Sequence, residues 1–555
     1  QPPKEDALSV GLEGGSDGWQ RAQLRAAKLT DNHGFTARMD INESDGWREN
    51  TGSDKQAFTG SWNTTLSDTL TVNTVFTATD LEYDTGGSGL LYEDYKNNPE
   101  QAGNLIAYRE ATAYRLSSAF EKTLDNGTLS ITPFLRSNQL EYLAHWTLNS
   151  GRASCPSWNP GCTSPTLDSQ DAHINESGHD SLGMLLKYRH NLSPDSFIIS
   201  GIDLDYSEGD VKQTYIERTD NDLGIYWLAY QPAGQLYNFD VNFFSASPYV
   251  HAETQLSKKL RLSAGLRYDN IRYDYNNQLS VNLDDPLHKR LPDQSVNMDH
   301  LSPKLSAIYQ FTDAINGYAA YRHAFRIPSA EQLFRSGQNE DSSDLDPVKA
   351  DSYELGLRGN INSAIAFESA IYYMTKEDDI VTISDDATGG RRNVNAGETK
   401  HYGIELGVDF LITETLNFYI AYSRSEHKYE DWQDRSGDYS GNDMPDAPED
   451  FANVRLSYRP LWLNGGQMEM EWMHQGKHWL DEKNADDGAT GDRDTYGGHD
   501  LVNIRADFWL SNQLNLYARV LNITDELYAE TTSKWGPQYT PGRPRSAFVG
   551  LRYEF

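Results

Sequence analysis

Apolar residues fall at alternate positions along most of this chain, in runs separated by polar gaps. In the last eleven residues, Arg545 to Phe555, the side chains of Ala547, Val549, Leu551, Tyr553 and Phe555 share one face of an extended strand. Ser546, Phe548, Gly550, Arg552 and Glu554 share the other, because alternate strand residues point to opposite sheet faces. Val502, Ile504, Ala506, Phe508 and Leu510 alternate in the same way with Asn503, Arg505 and Asp507. Leu514, Leu516, Ala518 and Val520 oppose Asn515, Tyr517 and Arg519. Leu416, Phe418, Ile420 and Tyr422 oppose Asn417, Tyr419 and Ser423, and Tyr353, Leu355 and Leu357 oppose Glu354 and Arg358. The pattern predicts strands throughout and no helix longer than a turn or two. Charged residues deep inside strands point to a water-filled interior rather than a packed core.

The gaps come in two kinds. Short ones carry the Asn, Asp, Gly and Ser of tight turns: Leu29–Gly34, Leu66–Asp68, Leu124–Gly127, Asn191–Asp195 and Leu256–Lys259. Thr312–Ile315, Asn360–Ser363, Ile412–Thr415, Leu463–Gly466 and Ser511–Gln513 continue the series. Long polar ones lie near 14–18, 44–53, 84–105, 141–177, 208–238, 275–298, 327–346, 380–398, 427–447, 481–497 and 524–542. About ten short turns and eleven long loops predict about 22 strands. An even number returns the last strand to the first and leaves no open edge. The expected fold is all-β: a transmembrane antiparallel β-barrel of about 22 strands, with short periplasmic turns and long extracellular loops. Residues 1–555 form that one domain, too wide for side chains to fill.

Composition sharpens this picture. Of 555 residues 37% are hydrophobic, mean hydropathy is −0.69, and no eighteen apolar residues run together, which excludes helical membrane spans but not a barrel. Tyrosine is abundant at 33 residues, beside 19 Phe and 12 Trp, as suits a membrane–water interface. The net charge of −34 argues against nucleic acid as a partner and fits long acidic loops. Asn484-Ala-Asp-Asp-Gly488 and Gly491-Asp-Arg-Asp494 could hold Ca²⁺, although neither has the spacing of a calcium hand. No other cofactor or metal motif is present. Cys155 and Cys162, in a Ser/Pro/Asn-rich loop, read as a local disulfide in an oxidising compartment. No signal peptide is visible, so a mature or trimmed product is expected. No Ser/His/Asp or paired-carboxylate constellation argues for an enzyme.

Three segments carry a family resemblance. Tyr318-Ala-Ala-Tyr-Arg-His-Ala-Phe-Arg-Ile-Pro-Ser-Ala-Glu-Gln-Leu-Phe334 is followed by Asp344-Leu-Asp-Pro-Val-Lys-Ala-Asp-Ser-Tyr-Glu-Leu-Gly-Leu357. Val520-Leu-Asn-Ile-Thr-Asp-Glu-Leu-Tyr528 and Pro541-Gly-Arg-Pro-Arg545 through Phe555 are the others. In order and spacing they resemble TonB-dependent outer-membrane transporters. The resemblance implies a bacterial outer-membrane barrel that takes up a ferric siderophore. It also implies a plug domain inside the barrel and a TonB–ExbB–ExbD energising complex that acts through the plug. Gln1 to Gly15 already resembles the first barrel strand, so the plug is expected to be missing from this chain or supplied separately. Two features depart from haem-transporting relatives: Ile327 replaces the Ala of their Phe-Arg-Ala-Pro block, and no His lies between Ser329 and Asp346.

Substrate in such transporters binds at the external mouth. The candidates here are Arg326, where a strand leaves the barrel, and the loop aromatics Trp146, Trp158, Tyr226, Trp227, Tyr230, Tyr237, Trp432 and Trp535, whose faces suit stacking and cation–π contacts. The alternative is that these rings belong to interface belts. Further expected partners are lipopolysaccharide and outer-membrane lipid, and the barrel-assembly machinery, which the resemblance links to the terminal Phe555. Other readings are a passive porin-like channel for oligosaccharide or another nutrient, a receptor for haem or cobalamin, and a soluble extracellular β-protein.

Overall fold

A computed structural model of the chain describes residues 3–87, 89–102, 105–144, 152–153, 167–168, 173–219, 229–285, 288–335, 337, 344–384, 391–433, 437–485, 494–533 and 538–555. Twenty-two strands form one antiparallel sheet that closes on itself. The seam joins the first strand, Ala7–Gly15, to the last, Ser546–Glu554, with Leu12 opposite Leu551 and Gly14 opposite Val549. Phe555 follows the last strand and its N–H donates to the Leu8 carbonyl at 2.9 Å. The ten short turns all lie at one end of the barrel, where the sequence places them. Helix is confined to Tyr92–Asn97, Ala330–Phe334 and one 3₁₀ turn among the described residues.

The two faces of the sheet separate as the alternation requires. Leu12, Leu182, Leu305, Leu355 and Val549 are more than half exposed on the outer face, which is the arrangement of a lipid-facing surface. Near its extracellular edge the outer face carries a belt of tyrosines, each donating its hydroxyl to a carboxylate: Tyr206 to Glu208, Tyr321 to Asp351, Tyr402 to Glu426 and Tyr422 to Asp450. Rings in the apolar zone with hydroxyls turned to water are what an interface selects. The inner face is polar and its charges are matched across strands. Glu13 accepts from Trp19 Nε1 (2.6 Å) and Arg519 (2.8 Å), and Asp40 accepts from Arg21 (2.7 Å) and Asn42 (3.2 Å). Glu471 accepts from Asn453, Asn503 and Arg505 at 2.8–3.1 Å. This in/out assignment gives a direct expectation: Leu551→Arg costs about 2–4 kcal/mol of refolding free energy in lipid vesicles.

Strand length varies around the ring. The strands Ala7–Gly15, Asp450–Tyr458, Gln467–Gln475, Leu514–Leu521 and Ser546–Glu554 have 8 or 9 residues, about what the bilayer needs. On the opposite side His173–Ser193, Ser196–Arg218 and Tyr230–Ser257 have 21, 23 and 28; Arg391–Thr413, two strands before Asp450–Tyr458, has 23. These hairpins continue far above the membrane. Two expected loops, 208–238 and 380–398, are therefore mostly strand: the ladder between Ser196–Arg218 and Tyr230–Ser257 persists to Arg218 opposite Tyr230. That between Ile365–Ser384 and Arg391–Thr413 persists to Ser384 opposite Arg391.

Four prolines sit inside barrel strands, where each removes a ladder donor; Pro232 lies beside a register shift near the top of its hairpin. Pro133 and Pro248 interrupt one seam for two positions each, after which pairing resumes. At Pro303 it does not. Gln294–Thr312 pairs with Ile315–Arg326 only up to Lys304 opposite Arg322, although the second strand continues to Arg326. A ring stack fills the gap: His300 lies 4.2 Å from Phe325 and 4.9 Å from His323, centroid to centroid.

Candidate functional site

The extracellular mouth has two walls, centred about half a ring apart. The first stands on the tall side. Inward-facing Phe239, Val241, Ile271, Tyr273, Tyr275, Val296 and Met298 form an apolar surface that would otherwise face water. Residues 327–335, with Leu345, cover it. Pro328 ends the strand Ile315–Arg326, and Ser329 then caps a short helix with Gln332 in a reciprocal capping box. That box aims Leu333 and Phe334 at the wall, where both are fully buried and Phe334 stacks on Tyr275 at 4.6 Å. Ile327 packs against the same cluster, which gives its departure from the family's Ala a packing reason. Polar contacts fix the edges. With its amide oriented oxygen-first toward Arg335, Gln213 accepts from Nε (3.2 Å) and Nη2 (2.8 Å); Tyr273 donates to the Pro328 carbonyl (3.4 Å), and Asn395 brackets Asp346 with two hydrogen bonds.

The second wall stands over the short strands and is made of loops. Leu90–Leu91, Ala529–Ser533 and Gln538–Pro541 form a three-stranded sheet from segments far apart in sequence. Tyr95 and Tyr539 stack on it at 5.1 Å, and Leu480, Tyr496 and Ala529 complete a buried cluster. Arg48 ties the loop near residue 48 to the one after Asp84: its guanidinium donates to the Gly87 and Gln101 carbonyls, each at 2.7 Å. His478 is buried under this wall, with Nε2 3.0 Å from Thr532 Oγ1 and, among the described residues, no partner on Nδ1. Burial, and secondarily the neighbouring His499, pushes its pKa down to about 4. An unfolded histidine protonates near 6.5, so the folded wall binds fewer protons and its stability falls as pH drops from about 6.5 to about 4. Limited proteolysis of the 476–498 loop is expected to accelerate at pH 5 relative to pH 7.5, and His478→Gln to remove that acceleration.

Among the described residues, the predicted site residues do not converge on one point. Arg326 ends its strand half-exposed, 3.4 Å from Gln332 Oε1 and 3.7 Å from Asp379, beside the first wall. Tyr237, expected in a loop, instead lies on the inner face of Tyr230–Ser257 and is buried within the first wall, because the hairpin continues upward there. Tyr230 begins that strand and packs on a separate small cluster around Leu143 and Ile216. Trp432 stacks on Tyr429 at 6.2 Å in another loop. Trp146, Trp158, Tyr226, Trp227, Trp535, Cys155 and Cys162 lie outside the described residues, as does most of the acidic 484–494 stretch. Among the described residues no group of three or more His, Cys, Asp or Glu is placed to hold a metal ion. Sequence reasoning missed Arg335, Phe334 and Arg48; only the Ser329/Gln332 box was visible as a signal for the first two.

The family model for the TonB-dependent receptor-like β-barrel matches residues 5–523. The chain belongs to this family. Its place is accordingly the bacterial outer membrane, and the mouth described above is the extracellular end of a TonB-dependent receptor barrel. The catecholate siderophore receptor Fiu of Escherichia coli K12 is 21% identical over 326 residues, covering 55% of this chain and 41% of its own length. The ferric-pyoverdine 358 receptor of Pseudomonas putida is 26% identical over 322 residues, 55% of this chain and 35% of its own. The chain thus spans less than half of these curated relatives. Among solved structures, the siderophore receptor PiuA of Acinetobacter baumannii superposes with a TM-score of 0.79 at 16% identity, over all of this chain and 82% of that one. The ferric citrate transporter FecA does so at 0.78 and 17%, over all of this chain and 79% of that one. At these identities the superpositions establish the fold alone.

Proposed function

We propose that this chain is the barrel of a TonB-dependent receptor that takes up a ferric siderophore, captured at the two-walled mouth. The observation that carries this reading is the first wall. Its buried rings hold in place the segment that carries Arg326 and Arg335, whose guanidiniums, in a chain of net charge −34, suit an anionic chelate. The names of the curated relatives support the same cargo class. The role is transport, not catalysis. A plug polypeptide fills the lumen, and the TonB–ExbB–ExbD complex acts through it. The belt of tyrosines and ion-paired outer residues meets outer-membrane lipid and lipopolysaccharide.

Uptake of radiolabelled ferric siderophore by iron-limited cells, with and without the gene and with and without an active TonB system, tests the reading. TonB-dependent accumulation is the expected result. Accumulation that ignores TonB, with an always-open pore in planar bilayers even after plug addition, would mean a passive channel. Phe555 bears on assembly, where it serves the barrel-assembly machinery. Removing it is expected to slow the appearance of heat-modifiable barrel several-fold without changing chelate affinity; unaltered outer-membrane levels would count against that role.

A further inference from the structure

The strands Arg391–Thr413 and Leu416–Asp431 bring two histidines from distant sequence positions into direct register, His401 opposite His427. Both face the lumen, since Tyr402, the next residue, belongs to the outer tyrosine belt. Their Nδ1 atoms lie 2.7 Å apart. Each ring's remaining nitrogen meets a hydroxyl: His401 Nε2 is 2.9 Å from Thr399 Oγ1, and His427 Nε2 is 3.0 Å from Ser425 Oγ. Among the described residues neither imidazole has a carboxylate ion-pair partner. The nearby Lys376 ammonium is held by Asp379 at 2.6 Å, and Arg326 approaches the same carboxylate.

We propose that His401 and His427 bind a divalent transition-metal ion, Cu(II) foremost, on the inner wall just below the mouth. Imidazole suits Cu, Ni and Zn, and Cu(II) stands first in the divalent affinity order. The metal-free pair is already close to the required shape. Two metal–nitrogen bonds of about 2.0–2.1 Å at roughly 90–110° place the nitrogens about 2.9–3.4 Å apart, so the rings separate by less than about 0.7 Å. The protons also balance. In the neutral pair one Nδ1–H donates to the other Nδ1. When the metal takes both Nδ1 atoms, that proton moves to Nε2, where a hydroxyl is in place to accept it, so no net proton leaves. Hydroxyls that fix the tautomer from behind are the outer-shell support that histidine ligands require.

The test titrates CuCl₂ alone into the purified full chain in detergent micelles, followed by calorimetry and electron paramagnetic resonance. One site with a spectrum split by two imidazole nitrogens is expected. His401→Gln/His427→Gln should bind at least tenfold more weakly while keeping its heat-modifiable migration. Thr399→Val/Ser425→Ala, which leaves both ligands in place, should weaken binding by less. A wild-type spectrum without two-nitrogen coupling, or a double histidine variant that binds as tightly as wild type, overturns the site.

Discussion

Phe334→Ala is expected to weaken ferric-siderophore binding at least about 100-fold while the barrel itself stays folded. The ring is fully buried and is held among Tyr275, Phe239 and Tyr273, with centroid separations of 4.6, 6.4 and 6.3 Å. Truncating such a phenylalanine costs about 3–5 kcal/mol. What remains to hold the covering segment is the smaller Leu333 and Ile327, a five-residue helix and a few edge hydrogen bonds. The segment then leaves the wall, and apparent affinity falls with the fraction of molecules that keep the mouth assembled. Fluorescence titration with the chelate, beside a heat-modifiability control, measures both halves of the expectation. Wild-type affinity in the variant would show that this segment has no part in binding.

Arg48→Ala is expected to release the other wall. The side chain is only 5% exposed and its guanidinium forks between two carbonyls of the loop that carries Leu90 and Tyr95. Hydrogen bonds to a charged group contribute about 1.5–3 kcal/mol each, so losing both leaves the loop several kcal/mol less firmly held. Cleavage by added protease between residues 85 and 107 should rise by at least an order of magnitude. Arg48→Lys should not restore protection, because a single ammonium lacks the planar fork that reaches both carbonyls. Undiminished protease resistance in Arg48→Ala would assign the loop's rigidity to its tyrosine stack instead.

The barrel was legible because its information is local. Turn chemistry at Leu124–Gly127 or Ile412–Thr415 and the two-residue alternation at 502–520 need no knowledge of distant partners. The alternation fades in the tall hairpins. Residues 208–214, Glu-Gly-Asp-Val-Lys-Gln-Thr, lie above the bilayer, where no lipid demands an apolar face, and so they read as loop. The mouth was least legible. Tyr237 and Phe334 are buried by segments that meet only once the ring has closed. His401 and His427 become neighbours through strand register, 26 positions apart.

The interruption at Pro303 has a mechanical consequence. A hydrogen-bonded cylinder resists deformation as a hoop does, with tension shared by every seam. Here one seam is slit from its extracellular lip down to Lys304 opposite Arg322, and the lip on one side is the strand that runs directly into the helix carrying Phe334. A load on that helix can widen the slit by sliding three stacked rings, with no further ladder bonds to break on that side. The hoop is therefore most compliant at the stave that holds the first wall, and strain imposed at the mouth or from within the lumen will concentrate there.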